Sequence, residues 1–168
     1  METFYKEISK LKELERRGWK RCNVEGRIES DAEHTFSMIM LALDIMNHNK
    51  TDLDELKVLK LIAYHELCEI DAGDVTPYDN IPPKEKYIKE YECIKRLSKE
   101  YDMPEIESYW LEYKELKTPE AKFVKALDKL DAIKQAEIYS LAQNRPGIYK
   151  EFYSSSIATI ESLKDYKY

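Results

Sequence analysis

The apolar side chains of this chain recur at helical spacing, in segments separated by proline and glycine. Phe4, Ile8 and Leu11 mark one such stripe, and Leu59 and Ile62 belong to another. A recurrence every three to four residues is typical of amphipathic α-helices. Only 4 glycines occur in 168 residues, whereas Lys, Glu and Leu, which favour helices, are abundant. The pattern therefore predicts an all-α fold.

Breakers and capping residues divide the chain into about seven predicted helices. The first covers 2–17, where Gly18 is suited to end it. The second is capped by Ser30 or Asp31, with Glu33 as the acidic partner of a capping box. The remaining helices run from a cap at Thr51 or Asp52 to about Asp71, over 83–101, over a shorter stretch after Pro104, and from Pro119 to about Gln143. Pro146 and Gly147 are expected to break the last of these, and a final helix runs to the C-terminus. The segment 19–29 is predicted to be irregular, and the breaker-rich segment 73–83 to be a loop.

The length suits one domain over residues 1–168. The net charge of −6, without a basic stripe, argues against binding of a nucleic-acid polymer. A small anionic substrate is still compatible with that charge, because a metal ion can supply positive charge locally. The longest apolar stretch, Met38 to Met46, is far shorter than the ~20 residues of a membrane span. No signal peptide is visible, and three widely spaced cysteines indicate a reducing compartment, so we expect a cytoplasmic protein.

Histidines and carboxylates mark the candidate chemistry. His65 is followed directly by Glu66, and Glu69 lies four residues on, which would place His65 and Glu69 on one face of the third predicted helix. His34 opens the second helix, and Asp128 lies among apolar residues of a later one. Carboxylates beside imidazoles on buried helices are costly unless they are paired or bind a cation.

These residues also allow a structural interpretation. A histidine on an apolar helix is commonly a hydrogen-bonded core residue, and Asp128 and Asp131 could be surface carboxylates paired with lysines. The candidate lysines are Lys125, Lys129 and Lys134. The spacing alone leaves both interpretations open.

Several motifs together resemble a known family. Ala-Glu-His at 32–34, Tyr-His-Glu-Leu-Cys-Glu at 64–69, Gly-Asp at 73–74 and Leu-Asp at 127–128 resemble the HD superfamily of metal-dependent phosphohydrolases. Arg-Arg-Gly-Trp at 16–19, Glu-Ser-Asp-Ala-Glu-His at 29–34 and the longer segments 73–82 and 121–128 resemble its 5′-deoxynucleotidase branch. The resemblance covers about residues 8–155 and implies a single-domain HD helical bundle.

The resemblance implies that His34, His65, Glu66 and Asp128 hold one divalent cation. Mn²⁺ or Co²⁺ is the expected ion, with Mg²⁺, Fe²⁺, Zn²⁺ and Ni²⁺ as alternatives, because two nitrogens and two oxygens suit borderline metals. The ion would activate water and draw charge from a phosphoryl group.

The resemblance also implies roles for the residues around that ion. Glu69 would orient or deprotonate the water, and Asp74 would contact the sugar or the leaving oxygen. These two, with the Val75 carbonyl, would also touch a second cation. Further residues would hold the substrate: Arg16 or Arg17 would clamp the phosphate, and Trp19 would pack against the deoxyribose and exclude a 2′-hydroxyl. A homodimer is expected on the same ground.

Two features depart from the family pattern. Glu66 stands where this superfamily normally has Asp, and one extra methylene moves the carboxylate by roughly 1–1.5 Å. The double arginine leaves the choice between Arg16 and Arg17 open, because relatives carry the key arginine at either offset. Hydrolysis of 2′-deoxynucleoside 5′-monophosphates is thus the leading hypothesis. An HD phosphohydrolase with another nucleotide substrate, and a non-catalytic nucleotide- or metal-binding module, are the alternatives.

Overall fold

The computed structural model describes residues 3–76, 79–164 and 166, and within them the chain is helical, apart from loops and one isolated β-bridge. The α-helices in this part of the chain are α1 Phe4–Lys10, α2 Arg17–Arg21, α3 Asp31–His48, α4 Glu55–His65, α5 Glu69–Ala72, α6 Pro83–Glu100, α7 Pro104–Glu115, α8 Pro119–Ala142 and α9 Pro146–Ile160. A 3₁₀ turn, Glu161–Leu163, follows α9. The all-α prediction is confirmed. The seven predicted helices correspond to all of these except α2 and α5, the two shortest.

Three helices form the centre of the molecule. The inward faces of α3, α4 and α8 meet at Met38, Ile45, Leu61, Ile62 and Leu127, none of which exposes any surface. Burial of a side chain of this size contributes about 1.5–3 kcal/mol relative to its exposed state. The candidate ligands His34, His65 and Asp128 lie on these same three helices, so the core fixes their relative positions.

Two further apolar clusters flank this centre. α6 and α7 pack together through Ile94, Leu97 and Trp110, with Leu67 from the α4–α5 turn buried between them. On the other side, α2 packs on α8 and α9, and Trp19 is the largest side chain of that cluster.

The second predicted helix starts as its sequence predicts. Ser30 Oγ accepts a hydrogen bond from the Glu33 amide at 3.3 Å, and Glu33 Oε2 accepts one from the Ser30 amide at 2.9 Å. This capping box satisfies two backbone donors that would otherwise lack partners at the helix end. It fixes the first turn of α3, where His34 lies.

Prolines begin the last four helices. Pro83, Pro104, Pro119 and Pro146 each occupy the first position of a helix, where the missing N–H has no intrahelical role. The predicted starts of α6, α7 and α8 are therefore confirmed to within a residue, whereas Pro146 and Gly147, predicted as breakers, lie in the first turn of α9. The predicted helix start at Glu2, and Pro77 and Tyr78 of the breaker-rich loop, lie outside the described residues.

The predicted first helix is wrong beyond Lys10. Residues 11–16 leave the helix, and Glu15 forms an isolated antiparallel bridge with Ser30. The Arg16 amide donates to the Glu29 carbonyl at 3.0 Å, and the Asp31 amide donates to the Leu14 carbonyl at 2.9 Å. These long-range bonds replace helical ones. Gly18 does not end α1 but lies inside α2, which also takes up the start of the segment predicted to be irregular.

The predicted third helix is wrong at both ends. Its cap is Asp54, whose Oδ1 accepts from the Lys57 amide at 3.1 Å, rather than Thr51 or Asp52. The helix ends at His65, and Glu69 begins the separate helix α5, so Glu69 does not share a regular helix face with His65. The intervening turn buries Leu67 and Cys68, at 3% and 2% exposure, against α6 and α7.

Among the described helices, none combines the length and the apolar character that crossing a bilayer requires.

Leu61 and Leu56 offer a matched test of this core. Both lie on α4, but Leu61 is fully buried and Leu56 is 64% exposed. We expect Leu61→Ala to lower the free energy of unfolding by about 2–5 kcal/mol, because it removes transfer free energy and leaves a cavity. Leu56→Ala should change it by less than about 0.5 kcal/mol. Urea denaturation measures both, and equal effects would contradict the packing described here.

Candidate metal centre

Three of the four side chains predicted as metal ligands, His34, His65 and Glu66, bring donor atoms within 4.8 Å of one another, and the fourth, Asp128, faces His34. His34 Nε2 lies 3.5 Å from Asp128 Oδ1 and 3.7 Å from Glu66 Oε1, and His65 Nε2 lies 3.1 Å from the same Glu66 oxygen. The two imidazole centroids are 5.7 Å apart. Two donors that each lie ~2.1 Å from one ion are separated by roughly 3–4 Å. The spacing of the His34, His65 and Glu66 atoms therefore suits a shared cation, and Asp128 Oδ1 lies at a comparable distance from His34 Nε2.

Hydrogen bonds on the outer nitrogens direct both imidazoles toward this point. His34 Nδ1 contacts Asp131 Oδ2 at 2.6 Å, and His65 Nδ1 contacts the Ile62 carbonyl at 2.7 Å. Because a carbonyl and a carboxylate only accept, each Nδ1 carries a proton, so Nε2 is the nitrogen of each ring that can hold a cation. Both Nε2 atoms are buried without a hydrogen-bond partner. Two such orphaned nitrogens, facing carboxylates, are what a divalent cation requires.

Asp131 is a functional candidate that the sequence left as a surface carboxylate. It is 4% exposed, and its oxygen orients His34 from behind. Its position three residues after Asp128 places both acids on one face of α8. That spacing is the sequence signal for a carboxylate that supports a ligand rather than one that coordinates the ion.

Asp128 combines the two roles that the sequence left open. Its Oδ2 accepts from Lys125 Nζ at 2.9 Å and lies 3.3 Å from Lys129 Nζ, whereas Oδ1 faces His34. The residue is nevertheless 4% exposed, so it is no surface carboxylate. Burial raises the pKa of Asp128, but Lys129, Lys125 and His34 outweigh it and hold that pKa well below the usual range. Asp128 therefore stays ionised.

Glu66 reaches the site despite its longer side chain. It is the residue at which α4 ends, with φ −95° and ψ −2°. Its Oε1 accepts a hydrogen bond from Arg16 Nη1 at 3.1 Å. Burial raises the pKa of Glu66, but His65 and Arg16 overcome burial and lower it well below the usual value. An ionised carboxylate thus faces the two imidazoles.

The charge balance at this point favours a cation. Burial and Arg16 lower the pKa of His34, but Asp128 and Asp131 outweigh them and raise it to about 9. The Asp128 and Asp131 carboxylates thus favour a positive charge at His34, whose Nε2 faces Asp128. A bound cation would compete with this proton for the same lone pair.

The two arginines differ in their surroundings. Arg16 is enclosed by acids: besides the Glu66 contact, its Nη1 lies 3.7 Å from Asp31 Oδ1 and its Nη2 lies 4.0 Å from Asp128 Oδ1. Arg17 is 51% exposed, and its Nη2 donates to Asp79 Oδ1 at 2.7 Å. The Glu15 bridge to α3 directs Arg16 inward, so Arg16 alone of the two faces the candidate ligands.

A second acidic cluster adjoins the first. Asp31, Glu69 and Asp74 each offer one carboxylate oxygen, and these oxygens all lie within 4.8 Å of one another. Burial and Glu66 raise the pKa of Asp31 to about 7, with Arg16 opposing them. Burial, then Glu66 and Asp31, raise the pKa of Glu69 well above its usual value. The cluster therefore holds more negative charge than its surroundings compensate.

Asp74 reaches this cluster through a glycine turn. Gly73 ends α5 with φ 72°, a backbone conformation that L side chains rarely adopt. Asp74 Oδ2 then accepts from the Arg17 backbone amide at 2.5 Å. The Val75 carbonyl, the expected further contact, instead accepts from Lys86 Nζ at 2.6 Å.

Asp31 was absent from the predicted site. It occupies the first position of α3 and exposes no surface. The signal that could have found it is its place three residues before His34, on the same helical face. In the sequence it served only as a possible helix cap.

A cleft opens from the candidate ligands to the surface. Its volume is about 400 Å³, within the roughly 300–1,000 Å³ of small-molecule sites. Carboxylates and His65 of the candidate centre line it, together with six cationic side chains: Arg16, Arg21, Lys86, Lys114, Lys125 and Lys129. Acids and cationic groups in one cleft suit a phosphate bound against a cation.

Trp19 forms part of the cleft wall in a fixed orientation. Its Nε1 donates to Glu29 Oε1 at 2.8 Å, and its ring stacks on Phe152 with centroids 4.1 Å apart. The residue is 1% exposed yet lines the cleft. Trp19 is therefore both the buried core residue of α2 and a rigid surface for a ligand. Glu29 and Phe152, which orient it, were not among the predicted site residues.

Comparisons with known proteins identify the family of this chain. The family model described as HD domain matches residues 8–164. The 5′-deoxynucleotidase HDDC2 of Bos taurus is 34% identical over 156 residues, which cover 91% of this chain and 74% of that protein. The 5′-deoxynucleotidase HDDC2 of Dictyostelium discoideum is 37% identical over 145 residues, covering 81% and 75% of the two chains.

A solved structure shares the fold. The crystal structure of PH0347 protein from Pyrococcus horikoshii OT3 superposes with a TM-score of 0.78 at 30% identity, and the match covers 94% of this chain and 87% of that one. The family match spans nearly the whole chain, and the His/Glu cluster can hold a divalent metal ion. The chain belongs to the HD domain family.

Proposed function

We propose that this protein is a metal-dependent phosphomonoesterase that hydrolyses 2′-deoxynucleoside 5′-monophosphates to deoxynucleoside and phosphate. The observation that carries the proposal is the pair of buried, unpartnered Nε2 atoms of His34 and His65 facing Glu66 and Asp128, beside a cleft that several cationic side chains line. The similar proteins are named 5′-deoxynucleotidases, which supports the choice of substrate.

In this proposal His34, His65, Glu66 and Asp128 hold one divalent cation, Mn²⁺ or Co²⁺. When bound, the cation supplies positive charge to the phosphoryl group and activates water. Its donor set of two imidazoles and two carboxylates supports a borderline metal. Asp131 acts behind His34, because its hydrogen bond keeps the ring in the tautomer that coordinates.

Glu69 and Asp74, two acids that line the cleft, have proposed roles in proton transfer and in substrate contact. Glu69 Oε2 has no hydrogen-bond partner, and Glu69 lines the cleft beside the first cation site. It is the group we propose to orient the attacking water and accept its proton. Asp74 lies next to it on the loop after α5, and we propose that it contacts the leaving oxygen or the sugar. The same two acids are the proposed contacts of a second cation.

The substrate would be held by Arg16 and Trp19. Arg16 has its guanidinium beside the carboxylates of the first cation site, so a phosphate on that cation would come within reach of a planar, charge-assisted hydrogen bond. Trp19 cannot rotate away, because Phe152 stacks on it and Glu29 holds its Nε1. A rigid ring against the sugar would leave no room for a 2′-hydroxyl.

A homodimer is part of the proposal. Phe36 and Met40 lie one turn apart on α3 and are 64% and 51% exposed. Adjacent exposed apolar side chains of this size commonly mark a protein interface. We also propose a cytoplasmic location, which the free cysteines Cys22, Cys68 and Cys93 support.

A substrate panel tests the activity. With Mn²⁺ or Co²⁺ present, we expect phosphate release from dAMP, dCMP, dGMP, dTMP and dUMP, and little from AMP. His65→Ala should lower the rate at least ~100-fold, because it removes an ion ligand. His48→Ala is the matched control, since His48 is 57% exposed at the end of α3 and should leave the rate unchanged.

The outcomes of the panel separate the hypotheses. Equal turnover of AMP and dAMP would contradict the selection against a 2′-hydroxyl. Turnover of other nucleotides alone would favour an HD phosphohydrolase with a different substrate. Binding of metal and nucleotide without any hydrolysis would favour the non-catalytic module.

Arg16 and Arg17 form a second matched pair. We expect Arg16→Ala to lower kcat/KM by roughly 10²–10³-fold, as is typical when one charged donor to a transition state is lost. Arg17→Ala should change it only a few-fold, because its side chain contacts Asp79 and its backbone bond to Asp74 survives. Steady-state kinetics on dAMP measures both, and a larger loss with Arg17→Ala would reverse the assignment.

The oligomeric state is tested by light scattering coupled to gel filtration. We expect a mass near twice the chain mass of 19.9 kDa. Phe36→Glu with Met40→Glu should give a monomer, because charged groups would then be buried at the interface. A dimer that survives this change but dissociates with Leu141→Glu, on α8, would contradict an interface on α3.

A further inference from the structure

The second acidic cluster contains one more carboxylate than the proposed function uses. Asp31, Glu69 and Asp74 come from the start of α3, from α5 and from the loop after it, and their oxygens lie within 4.8 Å of one another. Glu69 and Asp74 already have proposed roles. Asp31 has none, although it is fully buried.

Three oxygens of this cluster lack hydrogen-bond partners, and they belong to Asp31 and Glu69. Neither Oδ1 nor Oδ2 of Asp31 has a hydrogen-bond partner, and neither does Glu69 Oε2. Arg16 Nη1 lies 3.7 Å from Asp31 Oδ1, which is beyond hydrogen-bond length. A buried carboxylate without a bond is costly, and such groups are normally paired or coordinate a metal. A cation among the three acids would satisfy all three unpartnered oxygens.

The carbonyl that was expected to complete this second cation site is engaged elsewhere. The Val75 carbonyl accepts a hydrogen bond from Lys86 Nζ at 2.6 Å. An ammonium group at that carbonyl would repel a divalent ion that approached the same oxygen. The third protein ligand must therefore come from another residue, and Asp31 is the buried acid within reach of both Glu69 and Asp74.

We infer that Asp31 is the third carboxylate ligand of a second cation, beside Glu69 and Asp74 and in place of the Val75 carbonyl. The inference rests on the proposed function, which assigns a second cation to Glu69 and Asp74. An all-carboxylate donor set selects a hard ion, Mn²⁺ or Mg²⁺. The two sites of the cleft thus differ in kind: imidazoles and carboxylates at the first, carboxylates alone at the second.

Titration with Mn²⁺ alone tests this inference without any substrate. Calorimetry on the metal-free protein is expected to give two Mn²⁺ per chain. Asp31→Asn keeps the size of the side chain and removes its charge. We therefore expect it to raise the dissociation constant of the second Mn²⁺ at least tenfold and to leave that of the first nearly unchanged. Circular dichroism establishes that the variant is folded.

Glu33→Gln is the matched control. It removes one negative charge from the same first turn of α3, and glutamine can still form the capping box with Ser30. Glu33 lies outside the acidic cluster, so both Mn²⁺ ions should bind as in the unchanged protein. If Glu33→Gln lowered the affinity for the second Mn²⁺ as much as Asp31→Asn does, the charge of the turn rather than coordination by Asp31 would determine that affinity. This result would overturn the inference.

The remaining outcomes distinguish this inference from the proposed function. Two Mn²⁺ bound equally by Asp31→Asn and the unchanged protein would overturn the role of Asp31 and leave the proposed enzyme intact. One Mn²⁺ in the unchanged protein would also overturn it, and would favour a proton shared between Asp31 and Glu69. No Mn²⁺ at all would contradict the metal centre itself.

An anomalous-scattering map of crystals of the unchanged protein soaked in Mn²⁺ is independent of any variant. The inference requires a peak about 2.0–2.6 Å from an Asp31 oxygen, the range of metal–oxygen bonds for such ions. A second peak that is bound by Glu69 and Asp74 but is remote from Asp31 would overturn it.

Discussion

The site depends on two hydrogen bonds that point away from it. Asp131 and the Ile62 carbonyl each hold the Nδ1 proton of an imidazole, and only then can His34 and His65 both present a lone pair to the same buried point. Without these bonds each ring could rotate, or carry its proton on the nitrogen that faces the cleft. The packed core of α3, α4 and α8 contributes to catalysis through this constraint, because it fixes the helices that carry the rings and their partners.

A second constraint concerns charge. The base of the cleft gathers acids from several elements in a chain whose net charge is already −6. Arg16, brought inward by the bridge between Glu15 and Ser30, and Lys125 and Lys129 beside Asp128 offset part of that charge. The part that is not offset raises the pKa of Asp31 and Glu69. A site that binds a cation and an anion side by side needs acids that are not fully neutralised, to attract the cation. It also needs positively charged side chains nearby, to hold the anion.

The sequence predicted the elements that local chemistry controls. The capping box at Ser30 and the prolines at the starts of α6 to α9 act within one helical turn, so the sequence alone identifies them. Residues 11–16 could not be predicted in this way, because their helical apolar spacing competes with a long-range bridge to Ser30. Asp131 and Asp31 were missed as site residues for a related reason. Their spacing from Asp128 and His34 places them on a face, but only the packing of α3 against α8 decides that the face is buried.

The early end of α4 allows the Glu66 carboxylate to face His65, the residue directly before it. Adjacent residues of a regular helix point about 100° apart, so a regular helix would direct the carboxylate of residue 66 away from His65. Here the chain leaves the helix at Glu66, and the turn that buries Leu67 and Cys68 lets its longer side chain fold back until Oε1 lies 3.1 Å from His65 Nε2. The same turn separates Glu69 from α4 and brings it to Asp31 and Asp74. One break in the helix thus supplies a ligand to the first cluster and a member to the second.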